Sequence, residues 1–366
     1  MKMSDIKSLY IHIPFCNEIC SYCDFVKVYK KDELIDKYLE VLKDEINSMP
    51  VRVLRTIYIG GGTPSCLSEK QLEKLLQITS IFMLENDYEF TIEANPESLS
   101  EEKIKLLSKY GVNRVSLGIQ TFNEKLLKLL NRRHTKDDVI EVVNNLNKHG
   151  INNYSFDFIY SLPFQKIEDI NADLELAFSL NPKHLSFYSL LIEEHTMLYI
   201  KGHKEADDNI QREMYDFIYS KLKDNGYNRY EISNFAKSGY ESKHNKVYWH
   251  DEKYYAAGVS ASGYVDDYRY TNTKSLDKYL NGDNNKVIEN IDIEDNIIEH
   301  IMLGFRLDEG LSFDVFYDKF NIDFKNEYKE QIDKLKDEGL LIEKEDKVLA
   351  TYEGSLLLHR IIEEFM

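Results

Sequence analysis

The sequence predicts an α/β protein built on a parallel sheet or barrel. Two observations carry this. Six strand-like runs alternate with helix-like ones over the first 205 residues, and a helix between each pair of strands returns the chain over the sheet face. Polar, Gly and Pro residues gather directly after those strands, at the edge where parallel sheets build their sites. At 366 residues the chain accommodates one large α/β domain with an appendage.

The elements follow in order. "SLYIHIPF" is a β run, and "DELIDKYLEVLKDEI" sets Leu34, Tyr38, Val41, Leu42 and Ile46 at helical spacing. "RTIYIGGGTPS" is a strand running into a Gly-rich loop, and Ser68 is placed to cap the helix "SEKQLEKLLQIT". The strand "YEFTIEANPES", helix "SEEKIKLLSKYG", strand "VNRVSLGIQTF" and helix "NEKLLKLLN" continue the pattern. The helix "KDDVIEVVNNLNKHG", strand "YSFDFIYSLP", helix "IEDINADLELAFSL" and strand "HLSFYSLLI" complete it. A long helix follows from Asp207, and then a Tyr-, Gly- and Ser-rich stretch that reads as strands and loops. "NGDNNKVIENIDIEDN" marks a boundary near residue 290. Beyond it, three short helical patterns and the hairpin "GLLIEKEDKVLATYEG" resemble a winged-helix module. The expected division is therefore 1–205, 206–290 and 291–366.

Composition excludes several roles. A net charge of −18 opposes binding to phosphate backbones or to an anionic membrane surface. From Asp295 onward 18 acidic residues face nine basic ones, so the winged-helix pattern does not read as a DNA-binding one, and no nucleic-acid partner is expected. No apolar run approaches a membrane span and the N-terminus lacks a signal-peptide core, so the expected location is cytoplasmic. Four cysteines are too few for a disulfide framework.

Three of those four lie in "FCNEICSYCDF", spaced C-x3-C-x2-C at Cys16, Cys20 and Cys23. Structural zinc wants a fourth Cys or His at its own short spacing, and none follows within a dozen residues. A [4Fe–4S] cube tolerates three thiolates, leaving one iron for an outside ligand. "GGGTPS" after the second strand admits close backbone approach to a ligand and lacks the Lys-Ser/Thr of a triphosphate loop. Glu93 ends the third strand, Gln120 the fourth, Arg132 lies one helix later, and Asp157 is in the fifth. Polar groups thus converge from neighbouring strand ends, where carboxylates accept from hydroxyls and Arg pairs with a carboxylate. Cys66 reads as a buried structural thiol.

C-x3-C-x2-C after an N-terminal strand resembles the signature of the radical S-adenosylmethionine (SAM) enzymes, whose fold is a partial (β/α)6 barrel. That resemblance implies a [4Fe–4S] cluster on Cys16, Cys20 and Cys23. It also implies SAM bound at the open iron and cleaved by one electron to methionine and a 5′-deoxyadenosyl radical. By position in the family, SAM contacts fall on Tyr10, Tyr22, Gly62, Thr63, Glu93, Gln120, Arg132, Asp157 and the backbone of Leu191.

"LYIHIPFC", "IGGGTPS", "EANPE", "GVNRVSLGIQTFN", "DFIYSLP" and "LSFYSL" are similar to the oxygen-independent coproporphyrinogen III oxidase group. True oxidases of that group carry a fourth cysteine two residues past the third, and an N-terminal extension. Here Phe25 stands at that position and the first strand begins within the first dozen residues, which matches the haem-chaperone branch. "HNKVYW" resembles that branch's haem motif, placing His244, Asn245, Tyr248 and Trp249 at haem, with His250 next in line. The resemblance thus implies haem as cargo and a haem-accepting protein such as a membrane respiratory enzyme. Oxidative decarboxylation of coproporphyrinogen III is the alternative. Whether SAM is cleaved in turnover stays open, and a homodimer is compatible with the sequence. The chain departs from the group at Ser260 and Ser262, where relatives carry a Gly-rich run with a histidine, and at Ser161 and Phe164, where Gly is usual.

Overall fold

The computed structural model describes residues 6–283 and 285–366. Strands β1 (Ser8–Ile13), β2 (Val53–Gly61), β3 (Met83–Ala94), β4 (Arg114–Gln120), β5 (Asn153–Tyr160) and β6 (His184–Ser189) lie side by side in chain order. Each neighbouring pair is parallel. The returning helices are α1 (Asp32–Ser48), α2 (Glu69–Thr79), α3 (Glu101–Lys109), α4 (Glu124–Leu129), α5 (Lys136–Lys148) and α6 (Ile167–Leu180). This is the partial (β/α)6 barrel. Ser68 caps α2 through a reciprocal box with Gln71, as its position predicts.

The two faces of the sheet differ sharply. Leu9, Ile11, Ile57, Ile59, Ile92, Val115, Leu117, Phe156, Leu185 and Phe187 share the apolar core with Leu39, Leu42 and Ile46 of α1. The opposite face carries Tyr10 beside Tyr58, Thr56 beside Glu89, Thr91 beside Arg114, and Ser116 beside Ser155. Strand β5 continues it with Asp157 beside Ser186 of β6. Successive side chains of a strand point to opposite faces, so a polar–apolar period of two builds a polar wall along one face.

After β6 the chain enters α7 (Asp208–Asp224), capped by Asp207, then β7 (Asn228–Glu231) and β8 (Asn234–Ala236); β8 pairs antiparallel to β6, and β7 pairs antiparallel to β8 at the sheet edge. Helix α8 (Lys243–Trp249) precedes β9 (Tyr255–Ala257), which pairs parallel to β1 on its free side. The sheet and its core therefore run on past residue 205. Strand β9 could not be delimited from sequence, because three residues of Tyr and Ala hold no periodicity. Val287–Asn290, inside the stretch read as a boundary, is a strand paired to Tyr268–Thr271. Among the described residues no helix is long and apolar enough to cross a membrane.

The C-terminal part has its own core, in which Ile301, Phe305, Phe316, Phe324, Leu335 and Val348 meet. Helices α9 (Ile293–Gly304), α10 (Phe313–Phe320) and α11 (Lys329–Asp337) precede the expected hairpin, Leu341–Glu343 with Lys347–Ala350, giving a winged-helix-like unit.

Polar contacts fasten this unit to the end of α8. Glu309 takes Lys246 at 3.3 Å and the His250 imidazole, while buried Asp251 takes Lys319 and lies 3.4 Å from His300. Hydrogen bonding to Glu252 and then Glu309 raises the His250 pKa from 6.5 to about 9. A raised folded-state pKa contributes stability that is complete below about pH 6.5 and is lost as pH climbs through about 9. Thermal unfolding midpoints of wild type and His250→Asn should therefore differ at about pH 6.5 and converge by about pH 10. A gap independent of pH contradicts the ion pairing.

Candidate functional site

Beyond β1 the chain turns at Pro14, and Phe15–Cys16 pairs in parallel with Val28–Tyr29. Val28 N–H donates to Pro14 O and Lys30 N–H to Cys16 O, both at 2.8 Å, which pinches residues 16–28 into one closed loop. All three predicted thiols therefore sit on that loop, Cys16 buried and Cys20 and Cys23 half-buried. Ser21 N–H donates to Leu130 O at 3.0 Å, fastening the loop to the end of α4. Burial pushes the Cys16 thiol up to about 11 and also raises Cys23, where the Lys27 ammonium opposes the shift. The Thr63 hydroxyl lies 3.5 Å from Cys16 Sγ, and Arg132 Nη1 lies 3.9 Å from Cys20 Sγ.

The donor chemistry of this loop fits an iron–sulfur cube. Among the described residues no three His, Cys, Asp or Glu side chains are grouped to hold a single metal ion. A cube asks for a wider triangle, since each thiolate takes its own iron. The nearby imidazole does not compete: His12 spends Nδ1 on the Tyr10 hydroxyl at 3.0 Å and Nε2 on Val26 O at 3.2 Å. Phe25 points outward, 68% exposed. Cys66 is buried with its thiol on Phe15 O at 3.3 Å, the structural role read from the sequence.

The glycine loop lies against the cluster loop. A Cβ on Gly62 would come within 2.8 Å of Phe15 O and 3.0 Å of Cys16 Sγ, so only glycine fits. Gly61 adopts φ +115° and donates its N–H to Glu93 Oε2 at 3.0 Å. Glu93 Oε1 accepts from the Tyr58 hydroxyl at 2.8 Å, and burial pushes the carboxyl up to about 7. Asp157 accepts from Ser116 and Ser186 at 2.7 Å each and from Ser155 at 3.2 Å; burial outweighs these bonds and raises its pKa. Arg132 donates to Gly118 O at 2.8 Å and faces Glu97 at 3.6 Å. Gln120 ends β4 with φ +63°, a left-handed conformation that is strained for a side chain of this size. Tyr22 packs against the apolar cluster that holds Leu126 and Leu130.

Eight of the nine predicted SAM contacts thus fall into three neighbouring groups. Gly62 and Thr63 are at Cys16, Tyr22 and Arg132 at Cys20, and Tyr10, Glu93, Gln120 and Asp157 on the strands. Leu191 lies on the connection after β6, 64% exposed. Sequence reading missed Tyr58, Arg114, Ser116, His184 and Ser186 on the polar wall. Their signal was present as strict alternation in "RTIYIG", "NRVSLG" and "HLSFYS".

The predicted haem segment holds two features that its motif does not announce. His244 to Trp249 lies in helix α8, within a stretch read as strands and loops. Ser242 caps it, and the Glu89 carboxylate accepts from Lys243 N–H and His244 N–H at 3.0 Å each, satisfying donors that a short helix leaves open. The second feature is burial: the His244 side chain is fully enclosed. Its Nδ1 bonds the Thr56 hydroxyl and its Nε2 the Tyr248 hydroxyl, both at 2.8 Å, and burial lowers its pKa to about 3. Tyr248 meets Tyr254 edge-on at 4.7 Å, and the Trp249 ring lies under the Arg306 guanidinium at 5.1 Å. Asn245 is half-buried, and His250 is the exposed imidazole of the segment.

The sequence model of the radical SAM superfamily matches residues 10–177, and that of the HemN C-terminal domain matches residues 291–357. Coproporphyrinogen III oxidase (HemN) from Escherichia coli superposes with a TM-score of 0.86 over 100% of this chain and 91% of that one, at 23% identity, which speaks to the fold alone. The heme chaperone HemW of Lactococcus lactis is 42% identical over 98% of this chain and 97% of its own. The heme chaperones HemW of Bacillus subtilis and Escherichia coli are 37% and 32% identical, each over 98% or more of both chains. Whole-length identity at this level, with the thiol spacing and the barrel, means that the chain belongs to the HemW family of the radical SAM superfamily.

Proposed function

We propose that this protein is a haem chaperone that carries a [4Fe–4S] cluster, binds SAM, and passes haem to an acceptor protein, a membrane respiratory enzyme being the expected class. The observation that carries this is the end-to-end identity with proteins named heme chaperone HemW. Phe25, in place of the oxidase's fourth cysteine, supports it.

Cys16, Cys20 and Cys23 would hold the cluster. The protons that burial keeps on Cys16 and Cys23 leave when iron binds, because thiolate is the ligand form. Gly62 lets the glycine loop pack directly on Phe15 and Cys16, which sets that loop's backbone beside the cluster for the amino end of a nucleotide-bearing methionine, and Arg132 offers its guanidinium to the carboxylate. Tyr10, Glu93 and Asp157 line the strand side, where carboxylates suit ribose hydroxyls and a sulfonium charge. Tyr22, Thr63, Gln120 and the Leu191 backbone complete the enclosure. When bound, cluster and SAM together supply one-electron cleavage of the sulfonium. Haem docks at α8, with His244 as iron ligand and Asn245, Tyr248 and Trp249 around the ring. Because both His244 nitrogens are engaged, iron ligation requires one of their partners to let go.

Two outcomes follow. After anaerobic reconstitution with iron and sulfide, Cys20→Ala should fold with a wild-type far-ultraviolet spectrum yet lack the brown absorbance. Retention of that colour would contradict the cluster assignment. Titrated with haemin, the reconstituted protein should develop a Soret band at about one haem per chain, and His244→Ala should weaken binding roughly tenfold or more. His250→Ala should leave it within about twofold, as expected of an exposed side chain outside the site. A Soret band that follows His250 would move the ligand, and steady conversion of coproporphyrinogen to protoporphyrinogen would replace the chaperone reading with the oxidase.

A further inference from the structure

Tyr58 lies between two sites that the proposed function treats separately. Its hydroxyl donates to Glu93 Oε1 at 2.8 Å, on the side assigned to SAM. Its ring stacks on the His244 imidazole, centroids 5.2 Å apart and planes 28° apart, and its other ring neighbour is Tyr10 at 6.1 Å. His244 is held in turn by Thr56, on the same strand as Tyr58, and by Tyr248 one helical turn along α8. Direct contacts therefore run unbroken from Glu93 through Tyr58 and His244 to Tyr248.

A neutral imidazole has two ring nitrogens, and both are spent. Iron ligation through Nε2 must displace the Tyr248 hydroxyl, and through Nδ1 the Thr56 hydroxyl. Either swap turns or shifts a ring packed flat on Tyr58. Tyr58 cannot follow without moving the oxygen that orients Glu93. We infer that His244 is a positioning residue for the Glu93 carboxylate, acting through Tyr58, and that SAM at Glu93 and haem iron on His244 oppose one another. The inference rests on the proposed function for the identity of the two ligands, and adds that each weakens the other. Such coupling is reciprocal, so SAM favours haem release to the same degree that haem disfavours SAM.

The test is SAM affinity, measured by equilibrium dialysis on the cluster-loaded full chain, with and without saturating haemin. Wild type should bind SAM about tenfold more weakly with haem present. Tyr58→Phe keeps the stacked ring and removes only the bond to Glu93, so it should bring the two affinities within about twofold. Equal SAM affinity with and without haem in the wild type overturns the inference and leaves the chaperone reading intact. Absence of any haem binding overturns that reading instead. The positioning role is then read without haem: Tyr58→Phe and His244→Phe should each weaken SAM several-fold. His244→Gln, which can restore polar contacts to Thr56 and Tyr248, should recover most of the loss. Asp292→Ala, which removes the cap of α9 in the C-terminal unit, supplies the baseline for stability loss alone. SAM affinity that merely tracks the unfolding midpoint across these variants also overturns the inference.

Discussion

A parallel sheet covered by helices normally buries apolar residues on both faces. This one does so on its outer face only, and the constraint that shapes the rest is how its inner polar wall is satisfied. A carboxylate or guanidinium withdrawn from water and left alone costs several kcal/mol, so each must find a partner or a ligand. Asp157 meets the demand with three serines drawn from three adjacent strands. Glu89 meets it by capping α8, which seats the motif helix on the wall itself. Burial works against the charge on Arg114, and Glu89, foremost among its neighbours, restores it. Among the described residues Glu93 receives two bonds, and its carboxyl remains raised to about 7. Of these groups it is the one whose surroundings leave the most to be supplied by a ligand.

That contrast explains why parts of the site were legible in the sequence and others were not. The thiol trio, the glycine loop and the strand-end residues announce themselves locally, because each is fixed by its own turn of chain. Thr56 and His244 are 188 residues apart, and nothing near either one says that they touch. The burial of His244 follows from strand register and from a cap supplied by Glu89, neither of which the motif contains. A motif names the residue types that a ligand would want; packing alone decides whether they stand open. The same limit applies to β9, whose three residues are a strand only because β1 offers an unpaired edge.

Departures from the family pattern show how far tertiary context can override local preference. Ser161, Phe164 and Ser260 stand where the resemblance expects glycine or a glycine-rich run, and all three adopt positive φ, at +62°, +71° and +58°. The backbone path is therefore kept without the residue that adopts it most easily, at a cost of roughly 1–2 kcal/mol for each such residue. The Phe164 ring is 80% exposed and meets His203 edge-on at 6.0 Å. Neighbouring contacts hold the other two turns: Ser260 N–H donates to Thr273 O at 2.9 Å, and Ser161 is buried against Met214.

The position of α8 has a consequence for communication across the molecule. One end of this two-turn helix rests on the barrel wall through Glu89, Thr56 and Tyr58. Its other end, with the residues just beyond, is fastened to the C-terminal unit through Glu309, Lys319 and Arg306. A helix of seven residues has little internal cooperativity of its own, so its placement is set by these two attachments. Any rearrangement that frees His244 must draw on one or both. The acidic C-terminal unit thereby acquires a physical role as the second anchor of the motif helix.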